Sequence, residues 1–126
     1  MAMRGQRLFV RPIDRNDHDS VRTFMQQHGD ASAVPECGLV GKLVGELVAV
    51  MSIRVTGDAI RIEDLLVAPE LRRKRIGRVM LEELSGLAAK MERDWLIVEK
   101  ARGASEFFKR IGFIESDNQM VRRVRR

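Results

Sequence analysis

Tyrosine is absent from this chain of 126 residues, and tryptophan and cysteine occur once each. With no tyrosine there is no phenolic hydroxyl to donate a proton, and with one tryptophan the stacking platforms that single-stranded nucleic acid needs are scarce. Cys37 alone makes neither an intramolecular disulfide nor a thiolate metal cluster, which agrees with a reducing compartment. His18 and His28 have no cysteine at ligand spacing and read as surface or capping residues of a helix, so no metal is expected. A run of about 18 apolar residues is missing, which excludes a transmembrane helix. The opening MAMRGQRLFVRP has no apolar signal-peptide core, so a cytoplasmic protein is expected. Neither the GxxxxGK[ST] phosphate loop nor the dinucleotide fingerprint GxGxxG is present.

What the chain does contain suits an ordinary globular protein. Hydrophobic residues make up 44% and charged residues 33%, enough for one domain, residues 1–126, with one real core. The formal net charge is +5, which attracts anions in general without selecting DNA over a phosphorylated cofactor. The basic residues gather at 72–78 and in the terminal VRRVRR. No helix-turn-helix pattern or zinc spacing supports a nucleic-acid partner.

The periodicities set out an order of elements. Residues 6–13, QRLFVRPI, read as a first strand, and Asp14 or Asp17 can cap the segment after it. There Val21, Phe24, Met25 and His28 recur at helical spacing, until Gly29 ends the pattern and DASAVPECG continues as loop. Residues 38–55 are glycine-punctuated and β-branched, which predicts two strands about a turn at Val44-Gly45-Glu46, although Gly41 leaves the turn's position open. A second turn, TGD, leads to AIRIEDLLV at 59–67, a strand that Pro69 ends. Its alternation breaks at Glu63-Asp64, which predicts a bulge or a functional departure from the pleat.

From Ile76 the period changes. Ile76, Val79, Met80, Leu84, Leu87, Ala88 and Met91 predict the longest helix. DWLIV at 94–98 suits a buried strand, and 104–111 a short helix closed by Gly112. Phe113-Ile114 and residues 120–124 then form a hairpin around ESDNQ, with VRRVRR as a charged edge strand. Strand, helix, three strands, helix, strand, helix and two strands make an α/β (α+β) three-layer domain on a mixed sheet.

One junction carries chemistry. After Pro69 the sequence reads ELRRKRIGRVML, a basic loop that runs into the long helix. Helix N-termini present free N–H groups and the positive end of the dipole, so cations there are disfavoured and anions welcome. Four consecutive basic residues, Arg72 to Arg75, are explained by a bound anion such as a pyrophosphate. A solvated basic face is the plainer alternative.

The stretch IEDLLVAPELRRKRIGRVMLEEL, residues 62–84, resembles the acetyl-CoA-binding segment of the GNAT-type N-acetyltransferases, whose pyrophosphate loop has the form [QR]-x-x-G-x-[GA]. Arg72 matches its first position and Gly77 its last. ASEFFKRIGF, residues 104–113, resembles that family's second signature, roughly A-x-x-F-Y-x-x-x-G-F. The order of elements agrees, so the resemblance covers nearly the whole chain.

The resemblance implies a central, mostly antiparallel sheet flanked by helices, with acetyl-CoA as co-substrate. Backbone groups of Leu65, Leu66 and Val67 would bind the pantetheine arm in a gap between two splayed strands. Arg72 and the amides of Arg73, Lys74, Arg75, Ile76, Gly77 and Arg78 would hold the pyrophosphate, while basic side chains reach the 3′-phosphate. An amine-bearing acceptor, small molecule or protein, would attack the thioester directly. Glu63, beside the thioester, would draw the amine's proton through water, with Asp64 facing away. Phe107 would be core and Phe108 would line the cofactor site. The family often forms homodimers.

Two positions depart from the family pattern. Arg75 stands where the loop has its first glycine, at a cost of about 1 kcal/mol or more if that position needs a positive φ. Phe108 stands where the family has the tyrosine thought to protonate the leaving thiolate, and loss of a general acid costs about 10²–10⁴-fold. A water or Ser105 is the remaining donor. These departures keep open an alternative, a non-catalytic acyl-CoA-binding module that regulates a partner protein.

Overall fold

The computed structural model describes residues 7–29, 34–72, 75–99 and 105–125. Seven strands and three α-helices alternate as β1 (Leu8–Pro12), α1 (His18–His28), β2 (Gly38–Leu43), β3 (Glu46–Thr56), β4 (Ala59–Val67), α2 (Ile76–Lys90), β5 (Trp95–Glu99), α3 (Ser105–Arg110), β6 (Ile114–Ser116) and β7 (Gln119–Arg123). The strands form one mixed sheet in the order β1-β2-β3-β4-β5-β7-β6. All neighbours are antiparallel except β4 and β5, which α2 connects as a parallel pair.

Strand alternation builds the layers. In β2 and β3, Leu39 and Met51 face one side of the sheet, while their neighbours Val40 and Val50 face the other. Val21, Phe24 and Met25 of α1 pack with Val40 and Val50. Ile76, Met80, Leu81, Leu84 and Ala88 of α2 pack with Leu39, Met51, Ile60, Ile62 and Leu96. The predicted three layers follow, with α1 on one face and α2 on the other.

The entry to α1 is anchored by the residues that the sequence singled out as caps. Asp14 accepts the Asn16 N–H at 2.8 Å, and Asp17 accepts the Asp14 N–H at 2.8 Å. Asp17 is only 3% exposed, and Arg11 of β1 grips both its carboxylate oxygens at 2.6 and 2.7 Å. That hydrogen-bonded guanidinium, outweighing burial, lowers the Asp17 pKa to about 2. The pair ties β1 to the short 3-10 turn Arg15–Asp17 that leads into α1.

The turn at Val44-Gly45 falls where expected, with φ of 50° and 79°. The predicted bulge is present too: Asp64 opposes Ser52 while Ile62 opposes Ile53, which leaves Glu63 as the extra residue. The C-terminal strand departs from expectation. β7 lies inside the sheet, between β5 and β6, and becomes an edge only past Val121, where the short β6 stops pairing with it. Its charged residues therefore guard only the last part of the strand, and Arg123 sits over the Trp95 ring at 5.4 Å.

Candidate active site: the gap between two parallel strands

The parallel pairing ends partway along β4, one residue before β5 itself ends at Glu99. The β4–β5 register runs from Ala59↔Trp95 to Ile62↔Val98, whereas β4 continues to Val67 along β3. The Glu63 bulge sits just past the last paired residue, so the twist it adds falls where the β4–β5 pairing ends. In an antiparallel pair, successive residues turn their N–H and C=O alternately toward and away from the partner strand. Ala68 donates its N–H to the Val48 carbonyl of β3 at 2.9 Å, so Leu66 shares that direction and Leu65 and Val67 point into the opening. Leu66, named with them by sequence, turns its own groups to β3.

The opening ends at the start of α2. A turn at Pro69–Leu71 follows β4, and Arg72 reaches back so that its Nε donates to the Val67 carbonyl at 3.3 Å. Arg73 and Lys74 lie outside the described residues. Arg75 precedes the helix at φ 65° and ψ 12°, the left-handed region. The loop thus requires at this position the conformation that a glycine supplies freely, and arginine takes it at a cost of about 1–2 kcal/mol. Among the described residues, the Arg75 side chain makes no capping bond at the N-terminus of α2, and the helix's first turn carries no acidic residue. Its first N–H groups therefore suit an anion, on geometry as well as on dipole. Ile76 is buried beneath them.

Gly77 holds a second constraint. A Cβ at this position would lie 3.0 Å from Cζ of Phe107 and 3.5 Å from Cδ2 of Leu65. The missing side chain is what lets α2, α3 and β4 meet beside the opening. The two adjacent rings of α3 differ in burial. Phe107, expected in the core, is half-buried at that three-way contact. Phe108 is 6% exposed and packs edge-on between Phe107 and Phe113, at 5.1 and 5.2 Å between ring centroids. The sequence signal was available: adjacent helical residues point about 100° apart, so only one of the two rings can join the same face of the core. Ser105 opens α3, but its side chain is not among those described.

On the other side of the bulge lies an open hollow of about 930 Å³, bordered by Glu36, Cys37, Ser52, Arg54, Glu63 and Asp64. Simple alternation put Glu63 and Asp64 on opposite faces; the bulge brings both to this hollow. Glu63 is ion-paired with Arg54, a partner that becomes visible only once the bulge shifts the register. Cys37 is exposed at the rim. Glu46 opens β3 as an exposed residue beside the turn, as expected. Among the described residues no group of three or more His, Cys, Asp and Glu side chains is placed to hold a metal ion, and no helix is long and apolar enough to cross a membrane.

A further hollow, of about 1000 Å³, lies between α2, the end of α3 and β7. Arg78, Arg110, Arg122, Arg123 and Arg125 border it, with Glu82 as the one carboxylate. Arg122 donates to Glu82 at 3.1 Å. Arg78, counted among the loop residues by sequence, thus also belongs to this arginine-lined groove.

Comparison with known proteins agrees with this architecture. The sequence profile of the acetyltransferase (GNAT) domain matches residues 16–124. No curated protein sequence matches. Among solved structures, the ribosomal-protein-S18-alanine N-acetyltransferase from Escherichia coli superposes with a TM-score of 0.77 at 17% identity, over 95% of this chain and 96% of that one. N-acetylglutamate synthase from Neisseria gonorrhoeae, complexed with coenzyme A and N-acetyl-glutamate, gives 0.78 at 16% identity over 95% of this chain; the match spans only 36% of that protein. The PaiA N-acetyltransferase from Thermoplasma acidophilum, in complex with coenzyme A, gives 0.61 at 18% identity, over 68% of this chain and 59% of that one. With the profile matched over most of its length and the fold shared, the chain belongs to the GNAT acetyltransferase family.

Proposed function

We propose that this protein transfers the acetyl group of acetyl-CoA to an amine, carried by a small molecule or by a protein. The observation that carries the reading is the opened β4–β5 pair: β4 runs on from Ile62 to Val67 after its register with β5 ends. Leu65 and Val67 would bind the pantetheine arm as an added strand would be bound. The start of α2, from Arg75 to Arg78, would receive the pyrophosphate, with Arg72, Arg73 and Lys74 completing the loop. CoA-bound neighbours of the same fold support this choice of cofactor.

In the reaction the amine lone pair attacks the thioester carbonyl carbon, the C–S bond breaks, and CoA leaves as a thiolate. Glu63 is the base proposed to take the ammonium proton through a water, from its place at the hollow beside the bulge. The hollow's carboxylates, Glu36, Glu63 and Asp64, suit a positively charged acceptor. Phe108 has no proton to give and is enclosed by other rings, so the thiolate takes its proton from a water or from Ser105.

The same feature favours a second reading, an acyl-CoA-binding module that acts on a partner without catalysis. Thermal unfolding with acetyl-CoA tests what the two share: ligand at 100 times Kd adds about 2.7 kcal/mol of stability. Absence of any shift at millimolar acetyl-CoA removes both. Thiol release across a panel of amines then separates them, since the transferase reading requires turnover with at least one.

A further inference from the structure

The edge of β4 that faces the opening is already in use. The Leu65 N–H donates to Asp64 Oδ1 at 2.9 Å, and the Val67 carbonyl accepts from Arg72 Nε at 3.3 Å. These are the two residues whose backbone the register turns toward the gap. Asp64 and Arg72 are both exposed, so each side chain can swing into solvent without opening the core. The bulge helps to set Asp64 in place: its backbone pairs with Ser52, while its carboxylate bonds the next N–H of its own strand.

We propose that Asp64 and Arg72 are internal competitors of the acyl-CoA, holding in the free chain the β4 backbone groups that the ligand must take. The inference rests on the reading of the opening as the acyl-CoA site. Binding is then an exchange of hydrogen bonds. A ligand oxygen displaces the Asp64 carboxylate from the Leu65 N–H, and a ligand N–H displaces Arg72 from the Val67 carbonyl. The two releases differ in consequence. Arg72 leads the basic loop, so its freed guanidinium gains a phosphate partner nearby. Asp64 gains no charged partner: its carboxylate returns to water beside a ligand that is itself an anion. Asp64 therefore sets a net opposing contribution, and Arg72 an exchange that is nearly neutral. Affinity is held below what the bare strand edge would give.

The test is calorimetric titration of acetyl-CoA into the wild-type chain, Asp64→Ala and Asp64→Asn, at low salt and at 0.5 M NaCl. One hydrogen bond of ordinary net strength corresponds to about a 2- to 12-fold change in affinity. Asp64→Ala is expected to bind tighter by a factor in that range, at both salt concentrations. Asp64→Asn, which keeps an Oδ1 acceptor without the charge, is expected to gain less. Amide exchange at Leu65 in the ligand-free chain quickens in Asp64→Ala and not in Asp64→Asn. Equal gains in both variants that vanish at 0.5 M NaCl reveal charge repulsion alone and overturn the proposal. An unchanged or weaker Asp64→Ala overturns it as well. If the wild-type chain and both variants all fail to bind, the acyl-CoA reading itself falls, a result distinct from binding that ignores Asp64.

Discussion

The two walls of the opening are built to different standards. On the β4–α2 side the geometry keeps what a ligand site needs: backbone groups turned to the gap, an uncapped helix start, and a left-handed residue at its threshold. On the α3 side Phe108 is a buried ring packed between two others. The first wall tolerates strain to stay open, since Arg75 holds φ 65° where glycine would rest freely. The second has been given over to packing.

Substitutions in α3 should sharpen that contrast most. Phe108→Ala is expected to cost about 3–5 kcal/mol of stability, as a core ring does, with acetyl-CoA affinity unchanged while the chain stays folded. Phe107→Ala should cost less in urea denaturation yet weaken acetyl-CoA binding, since Phe107 touches the start of α2. The reverse pattern would mean that Phe108 faces the ligand and that the walls are not so divided.

Acid stability, next in size, should belong to neither wall. Asp17 titrates near 2 in the folded chain, below its ordinary 3.8, so the unfolded chain takes up this proton first. The stabilisation is complete above about pH 4 and lost as pH falls toward 2, amounting to about 2 kcal/mol. Asp17→Asn should flatten that limb of a pH–stability curve and leave ligand affinity near neutral pH unchanged. A smaller effect is expected at Arg75. Arg75→Gly should raise stability by about 1 kcal/mol and Arg75→Ala by less, because alanine keeps the left-handed strain and loses only the charge. Equal gains in thermal unfolding would assign the effect to charge at the helix terminus instead.

Much of this was legible before any coordinates. Asp14 and Asp17 announced the start of α1, the apolar period from Ile76 announced α2, and the broken alternation at Glu63-Asp64 announced the bulge. Each is a local signal, written in neighbouring residues. What stayed hidden depends on register and on contacts between distant segments. Strand order decided that β7 is internal, whereas its sequence showed only alternating arginines. The direction of the β3 pairing decided that Leu65 and Val67, and not Leu66, face the opening. Packing of α3 on Gly77 and Phe113 decided which of two adjacent phenylalanines is core. The bulge was readable; that it would deliver Glu63 and Asp64 to one hollow, with Arg54 as a partner, was not.

Amide hydrogen exchange with and without acetyl-CoA reads, residue by residue, whether the β4 edge binds the ligand. Saturating ligand should slow exchange at Leu65 and Val67 and in the first turn of α2, while Leu66, already committed to β3, stays unchanged. Exchange that is unaltered at Leu65 and Val67, or that slows equally along all of β4, would contradict binding at that edge.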